Sequence, residues 1–207
     1  MIFSPSIECA DREEIQRIQL QGLISTVKRV YEKVPYYKEK LDAAGVKPED
    51  IKSLSDITRL PFTTKADMRA NFPYRLFAVP MRDIVRIHAS SGTTGTATVV
   101  GYTKNDLDNW AECVARVVCQ AGGTPDDIAQ ISFGYGLFTG ALGLHYGLEK
   151  LGASVIPVSA GNTRRQIQIM EQYGTTLLVG TPSYALYMGE TAREMGVDLH
   201  KLPIRLG

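Results

Sequence analysis

The run SSGTTGT, residues 90–96, places hydroxyls at Ser90, Ser91, Thr93, Thr94 and Thr96 and glycines at Gly92 and Gly95, between the β-branched stretches 84–87 and 99–100. A hairpin needs only two to five loop residues, with Gly or Asn where φ is positive. The run carries more hydroxyls than a turn requires. Converging O–H and N–H donors, with glycines that admit close approach, are the equipment for holding an anion such as a phosphate. A Walker A loop would read G-x-x-x-x-G-K-[ST] and lead into a helix; here the lysine is absent and a strand pattern follows. Judged by composition alone, a solvent loop between two strands explains the run equally well.

A second group is SFGYGLFTG, residues 132–140, with Phe133, Tyr135 and Phe138 interleaved with Gly134, Gly136 and Gly140 behind an apolar strand pattern. Aromatic walls with open backbone between them suit a flat apolar ring better than a long alkyl chain. The alternative is a glycine-rich strand-to-helix turn capped by core aromatics. His88 lies in a strand pattern and reads as a core histidine. His145, following the aromatic loop on a helix, reads as facing Leu142 or Leu148, with no partner that would make it a base. No G-x-S-x-G elbow occurs, so a Ser-His-Asp hydrolase is not expected. Cys9, Cys113 and Cys119 show neither a CxxC motif nor a Cys/His metal spacing. Cys113 and Cys119 read as buried free thiols in a helix, which points to a reducing compartment.

The elements that must position these residues follow from periodicity. Leu20, Ile24, Val27, Tyr31 and Val34 fall on one helix face; Pro35 stops that helix and Gly45 ends a shorter one. Residues 46–80 read as an irregular connection with one short helical piece. Strands are expected around 84–87, 99–100, 128–133, 154–159, 175–180 and 204–206, and helices at 104–121, 141–152, 163–173 and after Pro182. Thr103 with Asp106 and Thr163 with Gln166 are expected caps, and Thr181-Pro182 is a cap and first-turn pair. Leu107, Trp110, Val114, Val117 and Ala121 mark the expected buried face of the first helix after the loop. Strands alternating with helices of this length imply an α/β fold: a helical N-terminal unit with its connection at 1–80, then a parallel, helix-covered sheet at 81–207.

With 207 residues, 44% hydrophobic and 22% charged, the chain is an ordinary globular one. Lys+Arg 23 against Asp+Glu 22 gives a net charge of +1, so neither nucleic acid nor a membrane surface is the expected partner. The N-terminus carries no secretory pattern and no apolar run approaches a membrane span, so the expected location is the cytoplasm. The last strand pattern begins at residue 204, close to Gly207, and reads as a truncated sheet.

The loop SSGTTGTATVVGYT resembles the phosphate-binding loop of the adenylate-forming enzymes. With it, PFTTKADMRANFPY, FGYGLFTGALGLHYGLEKLGASVIPVSAGNTRRQIQ and GTPSYAL together resemble the phenylacetate–CoA ligases, in the same order and from Tyr31 onward. The resemblance implies a parallel sheet of the adenylate-forming type. It further implies activation of an aryl acid by ATP and Mg²⁺ to an acyl-adenylate, then thioester formation with coenzyme A. Ser91, Gly92, Thr93, Thr94 and Gly95 would cradle the phosphates, flanked by Ser90 and Thr96. Tyr135, Gly136 and Phe138 would line the aryl-acid pocket, and no residue is assigned to a metal.

The sequence departs from that pattern where Gly95-Thr96-Ala97 stands in place of G-K-P. Lys65 is the candidate to supply the missing charge. The adenine-, ribose- and CoA-binding segments are expected downstream, which leaves the 207 residues alone expected to be inactive in thioester formation. A nucleotide or aryl-acid binding module that has lost ligase activity, and a related ligase such as a coenzyme F390 synthetase, remain alternatives. The expected partners are small molecules (aryl acid, ATP and CoA), with a homodimer left open.

Overall fold

The computed structural model describes residues 1–90, 95–137 and 139–207. The chain divides into two compact units, one formed by Pro5–Lys104 and the other by Met1–Ser4 with Asn105–Gly207.

The first unit begins with helices α1 (Pro5–Glu8), α2 (Arg12–Lys33) and α3 (Pro35–Ala43). Asp11 caps α2 by accepting the Glu14 N–H at 2.8 Å. Val34 ends α2 in an extended conformation forced by the proline that follows it, and Pro35 then starts α3 where its missing N–H costs nothing. Val27, Leu41, Val46 and Ile51 form the core here, with Leu23, Val30, Tyr31 and Leu60 packed around them. Ile24, expected on the same face, is exposed because the stripe runs through Leu23 and Val30 instead.

The connection is more ordered than its composition suggests. It holds 3-10 turns at Pro48–Asp50 and Leu54–Arg59 before helix α4 (Lys65–Ala70). Strands β1 (Ile84–Ala89) and β2 (Val99–Thr103) then pair antiparallel, from Ile84 opposite Thr103 to Ala89 opposite Val99. They form a hairpin of their own, apart from the parallel sheet. The 90–98 connection is shorter than the dozen or more residues a parallel crossover needs.

The second unit carries helix α5 (Lys104–Gln120), strand β3 (Ile128–Ile131), helix α6 (Gly140–Leu151), strand β4 (Ser154–Ile156), helix α7 (Thr163–Tyr173), strand β5 (Leu177–Val179) and helix α8 (Pro182–Glu194). The sheet order is β4-β3-β5, all parallel, and Leu206 adds a parallel bridge beside Leu177. The strand pattern at 204–206 is thus satisfied by a single bridge. Because successive strand residues point to opposite faces, Ala129 and Ile131 join Ala115, Cys119, Ala141 and Leu148 of α5 and α6 in the main core. Gln130, between them, reaches Gln166 of α7 on the other side.

Helices α5 and α6 approach closely because α6 carries Gly143 and Gly147 one turn apart. A methyl group on Gly143 would stand 2.4 Å from the Trp110 ring, and one on Gly147 2.2 Å from Val114 Cγ1. The buried face of α5 is therefore built from small residues as well as large ones: Ala111, Ala115, Val118 and Cys119 are buried, while Val117 is 66% exposed. The expected face containing Val117 and Ala121 is rotated by about one residue. Cys113 is exposed, in contrast to the expected buried thiol, whereas Cys119 is buried with Sγ 3.3 Å from the Met1 carbonyl.

The cap of α7 also differs from expectation. Asn162, in the left-handed region at φ 49, is the residue before the helix, so Thr163 is its first residue and Gln166 is buried. Thr181 caps α8 as expected, accepting the Tyr184 N–H at 3.4 Å. Among the described residues no helix is long and apolar enough to cross a membrane.

Candidate functional site

The hairpin fixes both ends of the hydroxyl-rich loop. Beyond the Ala89–Val99 pair, the Ser90 N–H donates to the Thr98 carbonyl at 3.0 Å, and the Thr98 N–H donates to Ser90 Oγ at 3.0 Å. Ser90 is therefore first a clamp at the base of the loop, with its hydroxyl proton still free to donate elsewhere. Gly95 sits at φ 124, a conformation that L side chains rarely adopt, and Thr96 beside it is exposed. Ser91, Gly92, Thr93 and Thr94 lie outside the described residues. His88 is buried under the hairpin with its ring edge-on to Tyr102 at 5.6 Å, as expected of a core histidine.

Lys65 is the first residue of α4, and its neighbours explain its freedom. Thr64 caps the helix: its side chain accepts the Asp67 N–H, and Asp67 accepts the Thr64 N–H at 2.7 Å. Asp67 is also engaged by Lys40 at 2.9 Å. The Lys40 hydrogen bond, followed by those from Thr64, holds its carboxyl well below the usual carboxylate range. The acid nearest Lys65 in sequence is thus committed to another cation. Lys65 itself is exposed and has no ion-pair partner among the described residues.

In the second unit, β3 delivers the aromatic segment. The Ser132 N–H donates to the Val179 carbonyl at 2.7 Å, and Phe133 and Tyr135 pack partly buried against the main core. A methyl group on Gly134 or Gly136 would meet nothing within 4 Å outside the adjoining residues, so both glycines leave open space on either side of Tyr135 in the chain. Phe138 lies outside the described residues. The Tyr135 hydroxyl lies 3.1 Å from His145 Nδ1, and His145 Nε2 lies 3.0 Å from Glu149 Oε1. Burial, assisted by the Glu149 charge, pushes the Tyr135 phenol up to about 12. His145 is therefore partnered on both ring nitrogens, which corrects the sequence expectation. The missed signal was its i,i+4 spacing to Glu149.

A nearby apolar cavity of about 470 Å³ is lined by Val117, Phe133, Leu144, Val179, Pro182 and Leu206, and by neither Tyr135 nor Gly136. Both rings pack against the main core, but only Phe133 lines this cavity, while the Tyr135 hydroxyl meets His145. Tyr184, which follows the Thr181-Pro182 helix start, has a fixed hydroxyl: it lies 3.0 Å from Thr163 Oγ1 and 3.2 Å from Gln166 Nε2. Gln166 donates further to the Ser159 and Gly161 carbonyls at 2.9 and 2.7 Å. Together they tie down the segment in which Ser159 and Asn162 both hold positive φ. Among the described residues no three His, Cys, Asp or Glu side chains gather as metal ligands.

No family model matches the chain. The phenylacetate-coenzyme A ligase of Escherichia coli (strain K12) is 52% identical over 202 residues, 97% of this chain. Ligases of the same name from Aromatoleum evansii and Thermus thermophilus are each 47% identical, over 97% and 99% of it. The chain spans 46% of the length of each of these relatives. Among solved structures, a 2-hydroxyisobutyryl-CoA ligase in complex with 2-HIB-AMP and CoA superposes with a TM-score of 0.90 at 30% identity, covering 98% of this chain and 44% of that one. An open conformation of that ligase gives 0.89 at 29% identity. The likeness to phenylacetate–CoA ligases read from the motifs therefore extends over nearly the whole chain. The fold is that of the matching part of an adenylate-forming ligase.

Proposed function

We propose that this chain supplies the phosphate-gripping hairpin and the aryl-acid wall of a ligase that activates phenylacetate, or a closely related aryl acid, with ATP and passes the acyl group to coenzyme A. The observation that carries this reading is the 45–52% identity, over 97–99% of the chain, with ligases named for phenylacetate. The fold shared with a CoA ligase in complex with an AMP adduct and CoA supports it.

In the first half-reaction the aryl carboxylate attacks the α-phosphate of ATP, and pyrophosphate leaves. In the second, the CoA thiolate displaces AMP. The hairpin serves the first step: residues 90–96 offer N–H and O–H donors to the phosphates, and the Ser90–Thr98 clamp fixes the loop ends before ligand arrives. Pre-ordering of this kind lowers the entropy that binding must otherwise supply. Lys65 provides the positive charge that the loop lacks, and such a charge matters most where water is excluded. The Tyr135 ring and the open space at Gly136, with Phe138, receive the flat ring of the acid. Magnesium would arrive on the triphosphate; the described residues offer it no ready ligand cluster, and no step is assigned to it.

Lys65→Ala separates this reading from a binding module. Loss of one positioned cation lowers the adenylation rate by about 10²-fold while leaving aryl-acid affinity in place. An unchanged rate would remove Lys65 from the mechanism.

A further inference from the structure

We propose that Glu149 and His145 are positioning residues for Tyr135, together committing its hydroxyl proton to the imidazole so that the phenol oxygen meets a bound aryl acid only as an acceptor. This rests on the reading that Tyr135 lines the aryl-acid pocket.

Each polar atom of the three side chains has a fixed number of protons to give. An ionised carboxylate only accepts, so at 3.0 Å Glu149 must take a proton from His145 Nε2. A neutral imidazole with its proton on Nε2 has a bare Nδ1, which only accepts. The Tyr135 hydroxyl, 3.1 Å away, must then donate to it. A phenol has one proton, and this one is spent. The proton also stays on the phenol, because burial and the Glu149 charge both oppose its loss.

Geometry reinforces the order. His145 and Glu149 lie one turn apart on α6, and the Tyr135 ring stands edge-on to the imidazole at 5.8 Å, which fixes the direction of the hydroxyl. Tyr146 flanks the imidazole edge-on at 5.2 Å and restricts its rotation.

The consequence concerns ligand choice. An acceptor-only oxygen repels a carboxylate, so an acid bound against Tyr135 presents its ring there and keeps its carboxylate elsewhere. A ring hydroxyl can donate to that oxygen, whereas a second carboxylate on the ring cannot.

Glu149 is 51% exposed at its side chain, so its replacement leaves the core intact. Glu149→Lys offers donors only and forces the opposite tautomer, which frees the Tyr135 proton. The first measurement is ¹⁵N NMR of His145 in protein expressed from the native gene, at a pH where the ring is neutral. Wild type should carry the proton on Nε2 and the E149K variant on Nδ1; wild type with the proton on Nδ1 overturns the proposal.

The second measurement is the KM of a phenylacetate carrying a second carboxylate on its ring, with phenylacetate and ATP KM as controls, in protein expressed from the native gene. E149K should lower the KM of that ring carboxylate about threefold to tenfold, the worth of one hydrogen bond, with phenylacetate and ATP KM unchanged. In a Tyr135→Phe background the same substitution should change nothing. An equal fall in both backgrounds means that Glu149 acts elsewhere and overturns the proposal. If Tyr135→Ala leaves phenylacetate KM unchanged, the pocket reading itself fails, and the positioning role fails with it whatever the tautomer.

Discussion

Gly147→Ala tests the packing on which α6, and so His145 and Glu149, depends. In an isolated helix this substitution would stabilise by about 1 kcal/mol, because alanine loses less backbone freedom than glycine. Here the added methyl would lie 2.2 Å from Val114 Cγ1 and 2.4 Å from Val114 Cβ. Carbon contacts are best at roughly 3.5 Å or more, so the helices must separate by about an ångström or Val114 must leave its rotamer. The second route is closed in part, since Cβ cannot swing away as a chain end can. Overpacking of this kind costs about 1–3 kcal/mol, and the depth of the overlap argues for the upper half of that range. The expected net loss is about 1–2 kcal/mol, read as a lower urea midpoint at constant m-value. Val114→Ala in the same chain removes Cγ1 but keeps Cβ, so the overlap is relieved in part and the double variant should be more stable than the sum of the single effects by about 0.5–1 kcal/mol. A Gly147→Ala variant as stable as wild type, or additive with Val114→Ala, would refute the close approach of α5 and α6.

Asp127 is 2% exposed and accepts from Thr124 N–H, Thr176 Oγ1 and Arg205. Burial raises its carboxyl, but the Thr176 hydroxyl, the Thr124 N–H and Arg205 outweigh it and hold it below the ordinary range. A depressed folded value contributes stability above the unfolded value of about 3.9, and that stability is lost as pH falls through the folded value. Acid titration of unfolding should show this limb, and Asp127→Asn should flatten it while costing about 1.5–3 kcal/mol at neutral pH. Gln166→Leu keeps the volume but leaves the Ser159 carbonyl without its Gln166 donor and the Gly161 carbonyl with only the longer Tyr184 bond. About 1–3 kcal/mol should be lost, with hydrogen exchange rising first at residues 159–162; unchanged exchange there would count against Gln166 as the tie.

Much of this was readable from the sequence where local chemistry leaves one solution. Pro35 after Val34 allows only a helix break, and Thr181-Pro182 allows only a helix start. The apolar runs at 128–131, 154–156 and 177–179, each separated by a helix, require a parallel order. The hidden parts depend on neighbours distant in sequence. Ala115 is buried and Val117 exposed because two glycines on α6 bring that helix close to α5. Asn162, at positive φ, takes the position expected for Thr163 because Gln166 and Tyr184 hold the preceding loop from α7 and α8. The Tyr135 and His145 partnership spans a turn whose path is not written in periodicity. Asp127 and Arg205 meet only once the sheet is assembled.

The measurement that tests the central claim most directly is phenylacetate-dependent release of pyrophosphate from ATP and Mg²⁺ with CoA omitted, using protein expressed from the native gene to its own stop codon. The account predicts release that requires phenylacetate and falls steeply in Lys65→Ala. Folded protein that binds both ATP and phenylacetate yet releases no pyrophosphate would contradict it.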